Sequence, residues 1–206
     1  MTAPCAVDDA DDADNAGRVV VLDRDGTLVI DRHYLDDPDG LEFEAGAIEG
    51  LRLLHRHGYR LLVITNQSGV GRGLFSLERV EAMNRRLRAM VEAIGVPLAG
   101  IYYCPHAPSD LCGCRKPAQG LLLRAAADLR FDPAAVIVVG DRDSDVEFGH
   151  RAGAATVLIS RERPLPLGAR APDFVARDLL EAARGIVAGA ITHAQKAPAL
   201  GFHNAS

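Results

Sequence analysis

Asp23 and Asp25 flank one residue in Asp23-Arg24-Asp25-Gly26-Thr27, directly after the β-branched run Val19-Val20-Val21-Leu22. On a strand that is just ending, residues two apart project to the same side, so both carboxylates can converge, and Gly26 permits a tight turn against a ligand. Paired carboxylates suit two tasks. One is holding a hard, oxygen-seeking cation such as Mg²⁺; the other is dividing nucleophile and acid–base roles between two groups in different environments. A turn that uses Asp and Gly for conformational reasons alone is the competing reading, and the polar clusters at other segment ends lower it. Thr65, in Thr65-Asn66-Gln67-Ser68-Gly69, offers a hydroxyl and neighbouring N–H groups, with Gly71 and Gly73 following. Such a stretch can cradle an oxyanion or be simply a polar loop. Asp141 and Asp145 follow Gly140 as a third acidic pair, although Asp145 alone could serve a helix N-terminus. Lys116 stands beside Arg115 and before Pro117, where a helix start is expected, and the only other lysine is Lys196. A compact ammonium in a chain that otherwise uses Arg reads as a point charge for phosphate rather than a solvated face residue.

Cys104-Pro105-His106 and Cys112-Gly113-Cys114 supply three thiolates and an imidazole, with five residues between His106 and Cys112. Four ligands of this type with no spare suit tetrahedral Zn²⁺ in a closed, structural site; a reactive thiol or chance clustering are the alternatives. Zinc there would act indirectly, fixing a loop so that Arg115 and Lys116, immediately after the last ligand, face the phosphate. Cys5 is too remote to join.

The elements that must position these groups alternate. Strands are expected over 19–22, 59–64, 99–103, 136–139 and 155–159. Helices are expected over 47–57, from a Ser76 cap to about residue 94, over 119–129 and over 145–151, with a weak strand–helix pair across 174–183. Buried-type strands alternating with helices mean an α/β fold, a Rossmann-like doubly wound parallel sheet with helices on both faces. Ligands bind such sheets beyond the carboxyl ends of the strands, where the polar clusters fall. The loop from Leu28 to Glu44 is the only candidate lid, since no insertion large enough for a separate cap domain interrupts the pattern. An open site and some promiscuity follow.

At 206 residues, 48% apolar and 25% charged, the chain reads as one globular domain over 18–190. Residues 1–17, rich in Asp and Ala, read as a disordered acidic leader, and 191–206 as a tail without assignable pattern. No run approaches a membrane span and no signal-peptide pattern opens the chain, so it is read as cytoplasmic. A net charge of −5 argues against a nucleic-acid surface and leaves small anionic substrates. The chain is expected to act as a monomer, an expectation that rests on no feature of the pattern. His55, His57, His150 and the tail histidines are expected on solvated surface.

Taken together, Asp-x-Asp-x-Thr, then Thr65, then Lys116, then Gly140-Asp141-x-x-x-Asp145 resemble the haloacid dehalogenase superfamily of phosphotransferases across residues 19–145. The resemblance implies that Asp23 becomes phosphorylated and that Asp25 protonates the leaving alkoxide and later deprotonates water. It further implies that Thr65 and Lys116 hold the phosphoryl oxygens, and that Mg²⁺ is bound by Asp23, the backbone carbonyl of Asp25, and Asp141. With the Cys-x-His and Cys-x-Cys-Arg-Lys-Pro stretch added, residues 19–160 resemble the heptose-1,7-bisphosphate 7-phosphatases and their relatives, the histidinol-phosphate phosphatases. Ser68-Gly69-Val70-Gly71-Arg72-Gly73 favours the heptose type, although the short zinc loop fits either. The same resemblance places Asp31, Tyr34, Thr65, Asn66, Gln67 and Ser68 around the substrate and gives Arg115 a part in recognition. Arg32-His33 departs from the usual small or polar residues of that segment. A sugar-phosphate-binding protein without turnover is the reading from another class, and retention of both Asp23 and Asp25 argues against it.

Overall fold

The computed structural model describes residues 18–161 and 171–191. The expected leader over 1–17, Cys5, the tail histidines and nearly all of 191–206 lie outside the described residues. In chain order the elements are β1 (Val19–Leu22), α1 (Ala47–Arg56), β2 (Arg60–Asn66), α2 (Ser68–Gly71), α3 (Leu77–Ala93) and β3 (Leu98–Cys104). They continue with α4 (Gly120–Leu129), β4 (Val136–Gly140), α5 (Asp143–Ala152), β5 (Ala155–Ile159), β6 (Phe174–Ala176) and α6 (Leu179–Val187). Six strands form one sheet in the order β3-β2-β1-β4-β5-β6, all neighbours parallel. The chain therefore winds outward in both directions from β1, and the order reverses between β1 and β4, where doubly wound sheets bind ligands.

All four residues of β1 are buried because both faces are covered. Val20 and Leu22 face α1, α3 and α6 through Leu51, Leu54, Met83, Leu87, Leu179 and Ile186. Val19 and Val21 face α4 and α5 through Leu122, Ala125 and Phe148. This period of two is what a strand dictates. Local signals behave as expected at two helix ends. The Ser76 hydroxyl accepts the Arg79 N–H and opens α3, and Gly58, at φ +77°, follows the end of α1.

The strands run further than hydropathy indicates. β2 continues through Thr65 and Asn66, paired with Tyr103 and Cys104 of β3, because the backbone ladder persists after the side chains turn polar. Helix α5 begins at Asp143, two residues before the expected start, and α6 extends to Val187. At the expected helix start by Pro117 there is instead a turn, Ala118 N–H to Arg115 O at 2.7 Å, and α4 begins at Gly120. Gly69 and Gly71 lie in the short helix α2 rather than in an open anion cradle, and Gly73 follows it in a turn. The Gly71 N–H donates to Pro105 O and the Gly73 N–H to Val70 O. Gly69 and Gly71 are small because a Cβ would run into Phe75 and into the backbone of Ala107, respectively.

The candidate lid folds on itself. Ile30 N–H donates to Glu42 O and Glu44 N–H to Leu28 O, so the two ends of the segment pair and residues 31–35 overhang the carboxyl edge. Among the described residues no inserted cap domain is present. Among them, also, no helix is long and apolar enough to cross a membrane. His55 and His57 are exposed as expected. His150 is not: its ring is packed beside Thr156, Nε2 lying 3.2 Å from the Thr156 hydroxyl and 3.9 Å from Asp173.

Candidate active site

Asp23 stands one residue past β1, where its N–H still donates to Val139 O of β4. The chain then turns: Leu28 and Val29 N–H groups return to Arg24 O, and Gly26 adopts φ +82°. A Cβ on Gly26 would collide with the Asp141 carboxylate, so only glycine lets the β1 turn approach the β4 end this closely. Lys116 reaches across from the loop after β3. Its Nζ lies 2.6 Å from Asp23 Oδ1, 2.6 Å from Asp145 Oδ1 and 2.7 Å from Ile64 O. Four distant chain segments thus meet at one ammonium.

Burial sets the electrostatics. Asp23 is pushed up to about 7 by desolvation; Lys116 pulls it down, while Asp145 and Asp25 push it further up. Burial works against the Lys116 charge as well, but Asp145 and Asp23 outweigh it and hold the ammonium above the usual lysine range. Asp141 rises to about 6 through burial and the Asp145 charge, against the opposing pull of Arg142. The donor set fits a hard cation. Asp23, Asp141 and Asp145 each offer an oxygen within 4.8 Å of the others, and buried Asp141 Oδ1 has no hydrogen-bond partner among the described residues. Asp145 fills both roles left open for it: Oδ2 accepts the Arg142 N–H at the start of α5, and Oδ1 pairs with Lys116.

Several residues expected around substrate line the cleft and also brace the groups behind it. Asn66 clasps the Lys116 peptide from both sides, Nδ2 donating to Lys116 O and Oδ1 accepting the Lys116 N–H. Gln67 Nε2 donates to Asp25 Oδ2 at 2.8 Å and to Thr65 Oγ1 at 3.0 Å. Thr65 is buried at the end of β2 and keeps its own O–H to donate toward the cleft it lines. The remaining expected residues line that cleft, of about 210 Å³. Asp31 accepts Arg142 Nη2 at 2.7 Å and the His33 N–H at 3.0 Å. Tyr34 is half exposed under the Arg72 guanidinium, 5.8 Å from the ring centroid. Ser68 opens α2, and Arg115 Nη1 is buried with no hydrogen-bond partner among the described residues. Sequence reasoning passed over Arg142, which lines the cleft and pairs with Asp31, and Arg24 with Asn84, which lie behind Asp25. Arg24 looked like a spacer in Asp-x-Asp, and nothing in the linear pattern ties Asn84 to it.

Cys104, His106, Cys112 and Cys114 come together beside this site. Their sulfurs lie 3.2–3.6 Å apart, and His106 Nδ1 is 3.1 Å from Cys114 Sγ and 3.6 Å from Cys104 Sγ. These spacings exceed a disulfide bond and approach the edge of about 3.8 Å expected of a tetrahedron with zinc–sulfur bonds. Backbone bonds tie the cluster to the catalytic edge: Gln67 N–H donates to Cys104 O and Gly71 N–H to Pro105 O.

A carboxylate pair, a bridging ammonium and a hard-cation cluster at the switch point of a doubly wound sheet define the haloacid-dehalogenase type of phosphohydrolase. The HAD-hydrolase-like family model matches residues 113–182. The D-glycero-beta-D-manno-heptose-1,7-bisphosphate 7-phosphatase of Yersinia pestis is 36% identical over 178 residues, covering 82% of this chain and 95% of the relative. The Escherichia coli K12 protein of that name is 37% identical over 176 residues, 81% of this chain and 92% of the relative. The D,D-heptose 1,7-bisphosphate phosphatase of B. bronchiseptica, complexed with magnesium and phosphate, superposes with a TM-score of 0.72 at 29% identity, over 84% of this chain and 99% of that one. The chain belongs to the heptose-1,7-bisphosphate 7-phosphatase family of HAD-like hydrolases.

Proposed function

We propose that this chain hydrolyses the 7-phosphate of D-glycero-D-manno-heptose 1,7-bisphosphate, the β anomer being the one named in the relatives. The observation that carries the reading is Lys116 bridging Asp23 and Asp145 at 2.6 Å each, with Asp25 two positions beyond Asp23 on the β1 turn. Two anions must meet for the reaction to start, and an ammonium beside the nucleophile offsets their repulsion.

Asp23 attacks phosphorus, the bond from phosphorus to the sugar oxygen breaks, and the leaving oxygen takes a proton from Asp25. Asp25 then removes a proton from water as the water attacks the aspartyl phosphate, which releases inorganic phosphate and restores Asp23. Thr65 O–H and Lys116 Nζ hold the phosphoryl oxygens. Asp23, the backbone carbonyl of Asp25, and Asp141 would hold Mg²⁺, which when bound supplies charge neutralisation at the phosphoryl group. Arg115, whose buried Nη1 has no hydrogen-bond partner among the described residues, recognises the rest of the anionic sugar from the cleft that Asp31, Tyr34 and Ser68 also line. Zn²⁺ held by Cys104, His106, Cys112 and Cys114 would fix the loop from which Arg115 and Lys116 project.

A phosphate-release screen with Mg²⁺ across heptose 1,7-bisphosphate, histidinol phosphate and common sugar monophosphates tests the assignment. The bisphosphate is expected to show the highest kcat/KM, and Asp23→Asn is expected to abolish release with the fold intact. Selectivity for histidinol phosphate, or wild-type release rates in Asp23→Asn, would overturn it.

A further inference from the structure

Arg24 is 2% exposed, although no step above uses it. Taking a guanidinium out of water costs several kcal/mol unless its donors are matched, so the matching shows what the residue serves. Nε lies 3.2 Å from both oxygens of Asp25, and Nη2 lies 3.1 Å from Asp25 Oδ2. Nη2 also donates to Gln67 Oε1 at 2.9 Å, and Nη1 to Asn84 Oδ1 of α3 at 3.2 Å. Gln67 and Asn84 are themselves buried. The network is directional. Because Gln67 Oε1 must accept from Arg24, its Nε2 must face Asp25 Oδ2 and Thr65 Oγ1. Asp25 Oδ2 then faces three donors, Gln67 Nε2, Arg24 Nη2 and Arg24 Nε, while Oδ1 faces only the shared Arg24 Nε at 3.2 Å. The carboxyl is held mainly through Oδ2, and Oδ1, with a single shared donor, keeps room for a proton.

We propose that Arg24, anchored by Asn84 of α3 and by Gln67, is the positioning residue that orients Asp25 so that Oδ1 carries the proton exchanged with the leaving oxygen and then with water. This rests on the phosphatase reading above, because it assigns the orientation of the acid–base group in that reaction. In the first half-reaction the sugar oxygen leaves with the proton from Oδ1; in the second, water gives a proton back to Oδ1 as its oxygen bonds to phosphorus. A planar guanidinium fork can meet Asp25, Gln67 and Asn84 at once. A lysine ammonium carries the same charge but cannot span three partners in one plane.

Leaving-group dependence separates positioning from general damage. A sugar alkoxide needs a proton to depart, whereas acetyl phosphate loses a carboxylate that needs none. The full-length protein loaded with Mg²⁺ and Zn²⁺ is assayed as wild type, Arg24→Lys, Asn84→Ala and Asn84→Asp on heptose 1,7-bisphosphate and on acetyl phosphate. For Arg24→Lys and Asn84→Ala, kcat/KM on the sugar phosphate is expected to fall about 10- to 100-fold, while that on acetyl phosphate stays within about threefold. Acid quenching is expected to find phosphoenzyme accumulating in both variants, because water attack also uses Asp25. Asn84→Asp keeps an oxygen acceptor for Nη1 and is expected to stay near wild type on both substrates. Equal losses on the two substrates, or none on either, would overturn the positioning role. A wild-type protein without Mg²⁺-dependent release from either would instead overturn the phosphatase reading beneath it.

Discussion

Replacing Lys116 with methionine keeps most of the stem and removes the ammonium that lies 2.6 Å from both Asp23 and Asp145. At an effective dielectric of about 20, each contact is worth about 6 kcal/mol of Coulomb energy before desolvation is charged against it. After that charge, breaking a buried pair by deleting one partner costs about 3–5 kcal/mol, because the abandoned carboxylates stay buried. The deficit should depend on pH in a stated direction. Burial holds folded Asp23 at about 7, above its ordinary value of 3.8, so between these values the folded state keeps a proton that the unfolded chain releases. Stability therefore declines as pH rises across that window in the metal-free wild type. Without Lys116 the folded value moves higher and the decline continues to higher pH. Metal-free urea unfolding should place Lys116→Met about 3–5 kcal/mol below wild type at about pH 8, with the gap narrowed by at least about 1 kcal/mol at about pH 5.5. A gap that is absent at the higher pH, or the same at both, would refute the electrostatic account of this site.

The same reasoning extends to neighbouring groups. Mg²⁺ must displace protons from Asp23, at about 7, and Asp141, at about 6, so the thermal shift it produces should be larger at about pH 8 than at about pH 5.5, as read by calorimetry. Gly26→Ala should weaken Mg²⁺ binding and lower kcat together, since the new Cβ displaces the Asp141 carboxylate and the backbone holds φ +82°; titration calorimetry checks it. Arg115→Ala should raise KM for the bisphosphate by about tenfold or more with a smaller change in kcat, the expected loss of a charged contact to an anionic substrate. Cys114→Ser should reduce bound zinc below about one per chain by elemental analysis and lower the melting temperature, with kcat/KM falling because Arg115 and Lys116 lose their anchor.

Much of the frame was legible because it is written in local periodicity. Fully apolar runs such as Val19–Leu22 announce buried parallel strands, and Ser76 and Gly58 mark helix ends by their own conformational preferences. Strand ends were less legible, since Thr65 and Asn66 remain in the ladder through backbone bonds that side-chain polarity does not reveal. His150 was misread for a related reason. Its burial depends on Thr156 and Asp173, brought beside it by β5 and the segment entering β6.

The types and order of Asp23, Asp25, Thr65, Lys116 and Asp141 were enough to name the chemistry, because phosphoryl transfer demands a nucleophile, an acid, cations and a hard-metal site. The cluster of Cys104, His106, Cys112 and Cys114 was legible for the same reason: donor type and count are properties of the chain. What each group does to its neighbours was decided by folding. Only the packed structure makes Lys116 bridge Asp23 and Asp145, gives the cleft-lining Asn66 and Gln67 the support of Lys116 and Asp25, and closes Arg24 against Asn84 of α3. Sequence carries donor chemistry and period, whereas distance, burial and orientation arise from parallel strands converging at one edge.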